Sequence, residues 1–201
     1  EGCGVLMNQC PHNLDLFQWF FGMPKRLTAM TFIGKWHDIT VEDDVTAMME
    51  LENGATASFI TTTGDFPGTN RLEIAAENGK LVCENNKLLF YKTEAPVQEI
   101  LDTSDKGFYH SDPEVIEIKV EEAPQGHKCI TQNVINAILG KEELLSPGVE
   151  GIKSVELANA MLLSGLRGKT VDVPVCEDEF AELLDELRKN ERDNRPETAF
   201  I

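Results

Sequence analysis

Apolar positions along this chain recur in different rhythms, and the rhythms divide it. Residues 2–22, GCGVLMNQCPHNLDLFQWFFG, form a glycine-rich apolar lead-in followed by a short apolar helix. Pro11 suits a first helical position, where its missing N–H costs nothing, and Gly22 with Pro24 ends the helix after about three turns. Leu14, Phe17 and Phe21 share a face that Leu16, Trp19 and Phe20 widen, which predicts a helix buried nearly all round. His12 is then a buried histidine in the first turn, one turn after the amide of Asn8.

Residues 27–36 (LTAMTFIGKW) read as a strand apolar on both faces, and HDITVEDD as a polar connection. DVTAMMELE and ATASFITTT are two β-rich runs around Asn53-Gly54, a pair that suits a type I′ hairpin. RLEIAAE and KLVCE flank Asn78-Gly79, and KLLFY follows Asn85-Asn86, which extends the pattern into an antiparallel meander. Residues 61–70 (TTTGDFPGTN) make a loop at one end of the sheet. Residues 93–113 are polar and irregular, and VIEIKVE then alternates as a strand near an edge, given its charged outer face.

The last third changes to a helical period. Ile130, Val134 and Ile138 predict a helix ended by Gly140. Ser146-Pro147 cap a second, with Ile152, Val155, Leu162 and Leu166 marking its buried side. KTVDVPV is a short extended piece. A third helix carries Phe180, Leu183, Leu184 and Leu187 at i, i+3, i+4 and i+7, with acids leading and Lys and Arg following, as the helix dipole prefers. Residues 191–201 show little pattern, and are either flexible or packed through Phe200 and Ile201.

Strands first and helices largely after them predict an α+β fold: an open, mostly antiparallel sheet of about six to eight strands with helices on one face. Val45, Ala47, Met49 and Leu51 fall on one side of the hairpin strands, and Met48 and Ile60 on the other. A sheet covered by helices on one face and still apolar on the opposite one predicts a face-to-face homodimer or higher homo-oligomer.

At 201 residues and 41% apolar content, one domain is favoured over a core with a small appendage. The net charge of −17 argues against nucleic acid and anionic membrane surfaces, which need clustered Lys and Arg. No run approaches the roughly 20 apolar residues of a membrane span, and no signal peptide opens the chain. Cys3, Cys10, Cys83, Cys129 and Cys176 are odd in number and scattered, as suits reduced thiols in the cytoplasm. Cys3, Cys10 and His12 match no usual zinc spacing and lack a fourth ligand, so no metal is expected. His37 with Asp38, Glu42, Asp43 and Asp44 reads as a solvated acidic connection. The opening Glu1-Gly2-Cys3, directly into apolar sequence, looks like a piece of something longer.

GCGVLMNQCPHNLDLFQWFFGMP, DDVTAMMELENGATASFITTTG, NRLEIAAENGKLV and SPGVEGIKSVELANAMLLSGLRGKTVDVPV, taken in order, resemble the C-terminal domain of the glucose–fructose oxidoreductase, inositol dehydrogenase and MocA-type family. The resemblance assigns residues 1–190 to a substrate-binding and oligomerisation domain and 191–201 to a tail. Such enzymes pair this domain with an N-terminal Rossmann domain, and move a hydride between a sugar or cyclitol carbon and a nicotinamide. It implies NAD or NADP in the full-length protein and none bound by this chain alone, which would be inactive. GxGxxG and the Glu-Lys-Pro segment with the family's catalytic lysine are not in this sequence, and the resemblance places both upstream of Glu1.

The family's Asp-x-x-x-His appears as Asn8-x-x-x-His12. By resemblance His12 bonds the substrate hydroxyl and moves a proton, while Asn8 orients it but carries no charge. On position alone, His12 reads as a core histidine and Asn8 as a capping amide. Thr63, Asp65, Asn70 and Arg71 in the loop could bind sugar hydroxyls, or simply build a turn. Trp19, Trp36 and Tyr91 read as core or interface, with sugar stacking as the alternative. Three readings stand: the oxidoreductase domain, an NAD-dependent glycosidase of the same family, and a non-catalytic dimeric binding module.

Overall fold

The computed structural model describes residues 4–110, 112–120 and 126–193, so Cys3 and the packing of Phe200 and Ile201 lie outside the described residues. The fold is α+β, with eight strands and six α-helices among them. The expected meander divides into two antiparallel sheets of four strands, in the orders β3-β2-β1-β8 and β4-β5-β6-β7. These are β1 (Arg26–Ile33), β2 (Glu42–Glu50), β3 (Thr56–Thr62), β4 (Arg71–Ala76), β5 (Gly79–Glu84), β6 (Lys87–Lys92), β7 (Glu114–Ile118) and β8 (Val171–Asp172). Asp44 opposite Thr62 is the last rung of β2 with β3, and the chain leaves the first sheet there. Where length suggested one core, two compact units form, one from the stretches before Phe66 and after Glu142, the other from Phe66–Glu142.

In the first unit, α1 (Val5–Asn8), α2 (Pro11–Phe21) and α5 (Gly151–Arg167) cover one face of the sheet. Leu6, Leu14, Leu27, Val45, Leu157, Met161 and Leu163 are fully enclosed there, each large side chain contributing about 1.5–3 kcal/mol. The buried side of α5 is only partly the one expected: Leu162 and Leu166 pack against the core, as predicted. Leu157, Ala158, Ala160, Met161, Leu163 and Ser164 face the core, whereas Ile152 and Val155 are exposed. Small side chains decide this, because they let the helix approach β1 closely. Thr31 Oγ1 donates to the Met161 carbonyl at 3.1 Å, and a Cβ at Gly165 would collide with Thr31. β8 pairs only with Arg26 and Leu27, and beyond its end the Ala29 N–H donates to Ser164 Oγ at 2.8 Å. α6 (Glu177–Asp193) continues this unit and buries Leu183.

The opposite face of this sheet exposes Met30, Phe32, Met48 and Ile60. It is the second apolar set read from the strands.

The second unit holds β4 to β7 with α3 (Val97–Thr103) and α4 (His127–Ile138). Asn85 and Asn86, both at positive φ (52° and 58°), form the two-residue turn of β5 and β6, as a type I′ turn requires. Asn53-Gly54 does otherwise: the Leu51 N–H meets the Ala55 carbonyl at 2.9 Å across a three-residue loop in which Gly54 takes φ +84°. β7 is an edge strand, as its charge pattern predicted. Residues 93–113 are not wholly irregular, since α3 lies within them. α4 ends before Gly140 (φ +67°) but leaves Ile130, Val134 and Ile138 exposed, with Asn133 buried.

Candidate functional site

The corner between α1 and α2 is pinned to the sheet by two polar contacts from neighbouring strands. Glu42 Oε1 in β2 accepts the Leu6 N–H at 3.1 Å, and its carboxylate lies where a Cβ on Gly4 would stand. Burial pushes this carboxyl above its ordinary value against the backbone N–H groups of Glu42 and Leu6, and Asp43 adds to the rise. Cys10 Sγ, buried at the head of α2, sits 2.9 Å from Thr61 Oγ1 in β3. Burial raises the Cys10 thiol, the Thr61 contact offsets part of this, and Glu42 adds to it. Cys10 is therefore a packed thiol rather than a nucleophile.

On this corner α2 starts with Pro11 and carries His12 as its second residue. His12 is exposed, contrary to the expected buried histidine, and α2 is two-faced rather than buried all round: Leu14, Phe17 and Gln18 face inward, while Leu16, Trp19 and Phe20 stand open. The open side lines a cavity of about 920 Å³, in the range of small-molecule clefts. One wall is α2 with His12, Asp15, Gln18 and Trp19. The other is Leu145–Gly148, Glu150 and the first turn of α5 with Ser154 and Val155. Asn8, at the end of α1, is exposed next to the cavity residue Met7.

The other predicted positions lie elsewhere. Thr63 Oγ1 meets His37 Nδ1 at 3.0 Å and the Asp43 carbonyl at 3.3 Å. Asp65 is exposed on the loop after β3. Asn70 and Arg71 belong to the second unit, where Arg71 bonds Glu73 and Glu84. Thr63 and Asp65 are not among the residues lining the His12 cavity.

The acidic stretch after His37 is a solvated connection only in part: residues 37–40 are exposed, Asp38 among them, and the departure lies at Glu42 and Asp43. Glu42 and Asp43 are buried in β2, and Asp43 accepts the backbone N–H groups of Lys35 (2.9 Å), Trp36 (2.8 Å) and His37 (3.0 Å). Burial alone would raise Asp43; those bonds outweigh it and hold it below its ordinary value. A charge that folds the loop back on itself is solvated by backbone rather than by water. No group of three or more His, Cys, Asp or Glu side chains able to hold a metal occurs among the described residues. Trp36 is half exposed, with Nε1 on Asp44 Oδ2 at 2.9 Å.

Asp15, Ser154 and Trp19 were not picked out as site residues. Asp15 follows His12 by three positions, which on a helix means the same face, and this was the available signal. Ser154 comes from the far end of the chain, and no local pattern announces its place opposite α2. Trp19, which reads as core or interface, is 72% exposed on the single chain, which excludes the core.

A nicotinamide dinucleotide sits at a glycine-rich turn between a parallel strand and a helix. Every ladder among the described residues is antiparallel. These residues do not fit the group, and none is assigned to it. No helix among them is long and apolar enough to cross a membrane.

Residues 1–82 match the family model described as the GFO/IDH/MocA C-terminal domain. The WlbA dehydrogenase of Chromobacterium violaceum, solved with NADH and UDP-GlcNAcA, is similar at 28% identity and a TM-score of 0.66, over 87% of this chain and 47% of that one. Two others share the fold. The WlbA dehydrogenase of Bordetella pertussis, also with NADH and UDP-GlcNAcA, is 23% identical (TM-score 0.57; 87% and 46% covered). An Agrobacterium radiobacter oxidoreductase in complex with NAD+, L-tartaric acid and magnesium is 18% identical (TM-score 0.60; 84% and 48%). The chain thus spans about half the length of these solved structures. No curated protein sequence matches it.

Proposed function

From the premise that this chain carries a GFO/IDH/MocA C-terminal domain, we propose that it is the substrate-binding and oligomerisation part of an NAD- or NADP-dependent oxidoreductase acting on a sugar or cyclitol hydroxyl. The observation that carries the reading is His12, held on the cavity wall in the first turn of α2 by a corner fastened to two strands. Oxidising a carbinol carbon requires its hydroxyl proton to leave, and imidazole is the side chain suited to take one near neutral pH. Asn8, one turn earlier, can bond that hydroxyl or the ring through its amide but holds no charge. The WlbA relative solved with NADH and a sugar nucleotide supports nicotinamide chemistry on a sugar. The apolar outer face of the first sheet, with Met30, Phe32, Met48 and Ile60, supports the oligomerisation part of the proposal.

The test uses the full product of the gene with NAD+ or NADP+ and a panel of sugars and cyclitols. His12→Ala should lower kcat by about a hundredfold or more, the usual range for a lost acid–base group. An unchanged rate would remove His12 from the mechanism, and turnover of aryl glycosides in place of sugar oxidation would move the chain to the glycosidase reading.

A further inference from the structure

Given the oxidoreductase reading above, on which this inference rests, we propose that Glu42 is the positioning residue of the site: without lining the cavity itself, it sets through the α1–α2 corner where His12 stands. Three observations on different elements point to this.

The first is a change of face in β2. Val45, Ala47 and Met49 are buried under the helices, while Asp44, Thr46 and Met48 alternate with them toward the open face. Strict alternation would put Glu42 on that open face as well. The ladder with β1 is irregular there: Phe32 is opposite Asp44 and Ile33 opposite Glu42, which leaves Asp43 as the extra residue. One inserted residue reverses the alternation, and this is how a bulge re-aims a side chain. Glu42 is accordingly turned inward and is 6% exposed.

The second is the space made for it. Gly4 is the residue before α1, and a Cβ there would fall on the carboxyl carbon and both oxygens of Glu42. Ser, Thr, Asp or Asn at that position would cap α1 locally. Glycine instead leaves the N–H of Leu6, a fully enclosed residue, to Glu42 Oε1 at 3.1 Å.

The third is the short path from this contact to the site. α1 has four residues; the Asn8 N–H returns to the Gly4 carbonyl, and the Gln9 and Cys10 N–H groups return to that of Val5. The Cys10 carbonyl then accepts the Leu14 N–H at 2.9 Å, which starts α2 with Pro11 and His12. Cys10 Sγ against Thr61 Oγ1 is the second polar fastening of the corner. With Leu6 released, that fastening is left alone and His12 shifts along the cavity wall. Misplacing a reacting group by about 1 Å costs on the order of a hundredfold in rate.

The experiment uses the full gene product, assayed for NAD(P)+ reduction with sugars and cyclitols. A second readout needs no activity: the Cε1–H resonance of His12 in 13C-histidine-labelled protein, assigned by its loss in His12→Ala. Glu42→Leu removes the acceptor, and Gly4→Ala evicts the carboxylate while leaving it in the chain. Each should lower kcat about tenfold or more, change KM less than about threefold and shift the His12 resonance. Glu42→Gln keeps an acceptor, and should hold kcat within about threefold of wild type with the resonance in place. In a His12→Ala background neither Glu42→Leu nor Gly4→Ala should slow the enzyme further, since residues that act as a unit are not additive. A wild-type kcat in both variants while His12→Ala is slow would overturn the inference and leave the oxidoreductase reading standing, as would losses that add to that of His12→Ala. No hydride transfer by the wild type on any sugar or cyclitol overturns that reading; the resonance then decides the inference, and an unmoved His12 signal in both variants overturns it too. Should Glu42→Leu fail to fold, Gly4→Ala against Glu42→Gln gives the same comparison.

Discussion

Glu42 holds the Leu6 backbone N–H at 3.1 Å, so a carboxyl from the second strand caps the first helix from 36 residues away. Gly4 leaves the space this carboxyl occupies. The corner that carries the site helix is therefore fastened to the sheet.

Burial raises Glu42 above the ordinary 4.5. Below that value folded and unfolded chains both hold the proton. As pH rises through the higher folded value, the buried group must ionise and its contribution to stability is lost. Glu42→Gln keeps an acceptor for Leu6 without the charge. Urea unfolding should find it more stable than wild type at pH 8, with the advantage vanishing near pH 4.5. Glu42→Leu, which orphans the N–H, should cost about 1–3 kcal/mol at either pH.

The adjacent Asp43 has the opposite sign. Its value is depressed, so its contribution is present above the ordinary 3.8 and lost as pH falls through the folded value. Asp43→Asn puts an amide NH2 where backbone N–H groups point, and should destabilise by about 1.5–3 kcal/mol at pH 7. The difference from wild type should shrink on acidification, read as Tm at pH 7 and pH 3.

Gly165→Ala would gain up to about 1 kcal/mol of helix propensity on α5. Its Cβ, however, would fall 2.7 Å from the Thr31 backbone N as well as against the Thr31 side chain. Backbone cannot yield as a flexible side chain does, so overpacking by about 1–3 kcal/mol should win. Calorimetry should show a lower Tm, and Thr31→Ala should restore only part of it.

Met48 pairs across the strands with Thr28 and Ser58, and Ile60 with Thr46, all on the open face of the first sheet. Under the proposed assembly, Met48→Glu or Ile60→Glu should lower the mass measured by light scattering. Stability of the separated protomer should change by no more than about 0.5 kcal/mol, as for ordinary surface positions. An unchanged mass would exclude this face as the interface.

Local order was largely legible in the sequence. Pro11, Gly22 and the strand alternation mark elements that the structure contains, because proline, glycine and period-two burial act within a few residues. What escaped depends on partners distant in the chain. α5 shows Leu157 and Met161 to the core instead of Ile152 and Val155, since Gly165 and Ser164 set how closely it meets β1. Glu42 and Asp43 read as solvated because nothing nearby in sequence reveals that Leu6 and residues 35–37 will solvate them with backbone donors. His12 and Asp15 could be placed on one helix face; Ser154 could not be placed opposite them.

The two walls of the cavity are made at different times. α2 ends at Phe21, and α5, which covers Leu14 and Phe17 and completes the site, starts about 130 residues later. At ribosomal rates of about 5–20 residues per second, the helix bearing His12 waits roughly 7–26 seconds for that cover. During synthesis its inner face is bare apolar surface, so the nascent chain is a natural client for chaperones that shield such segments, and the site is among the last parts of the first unit to form.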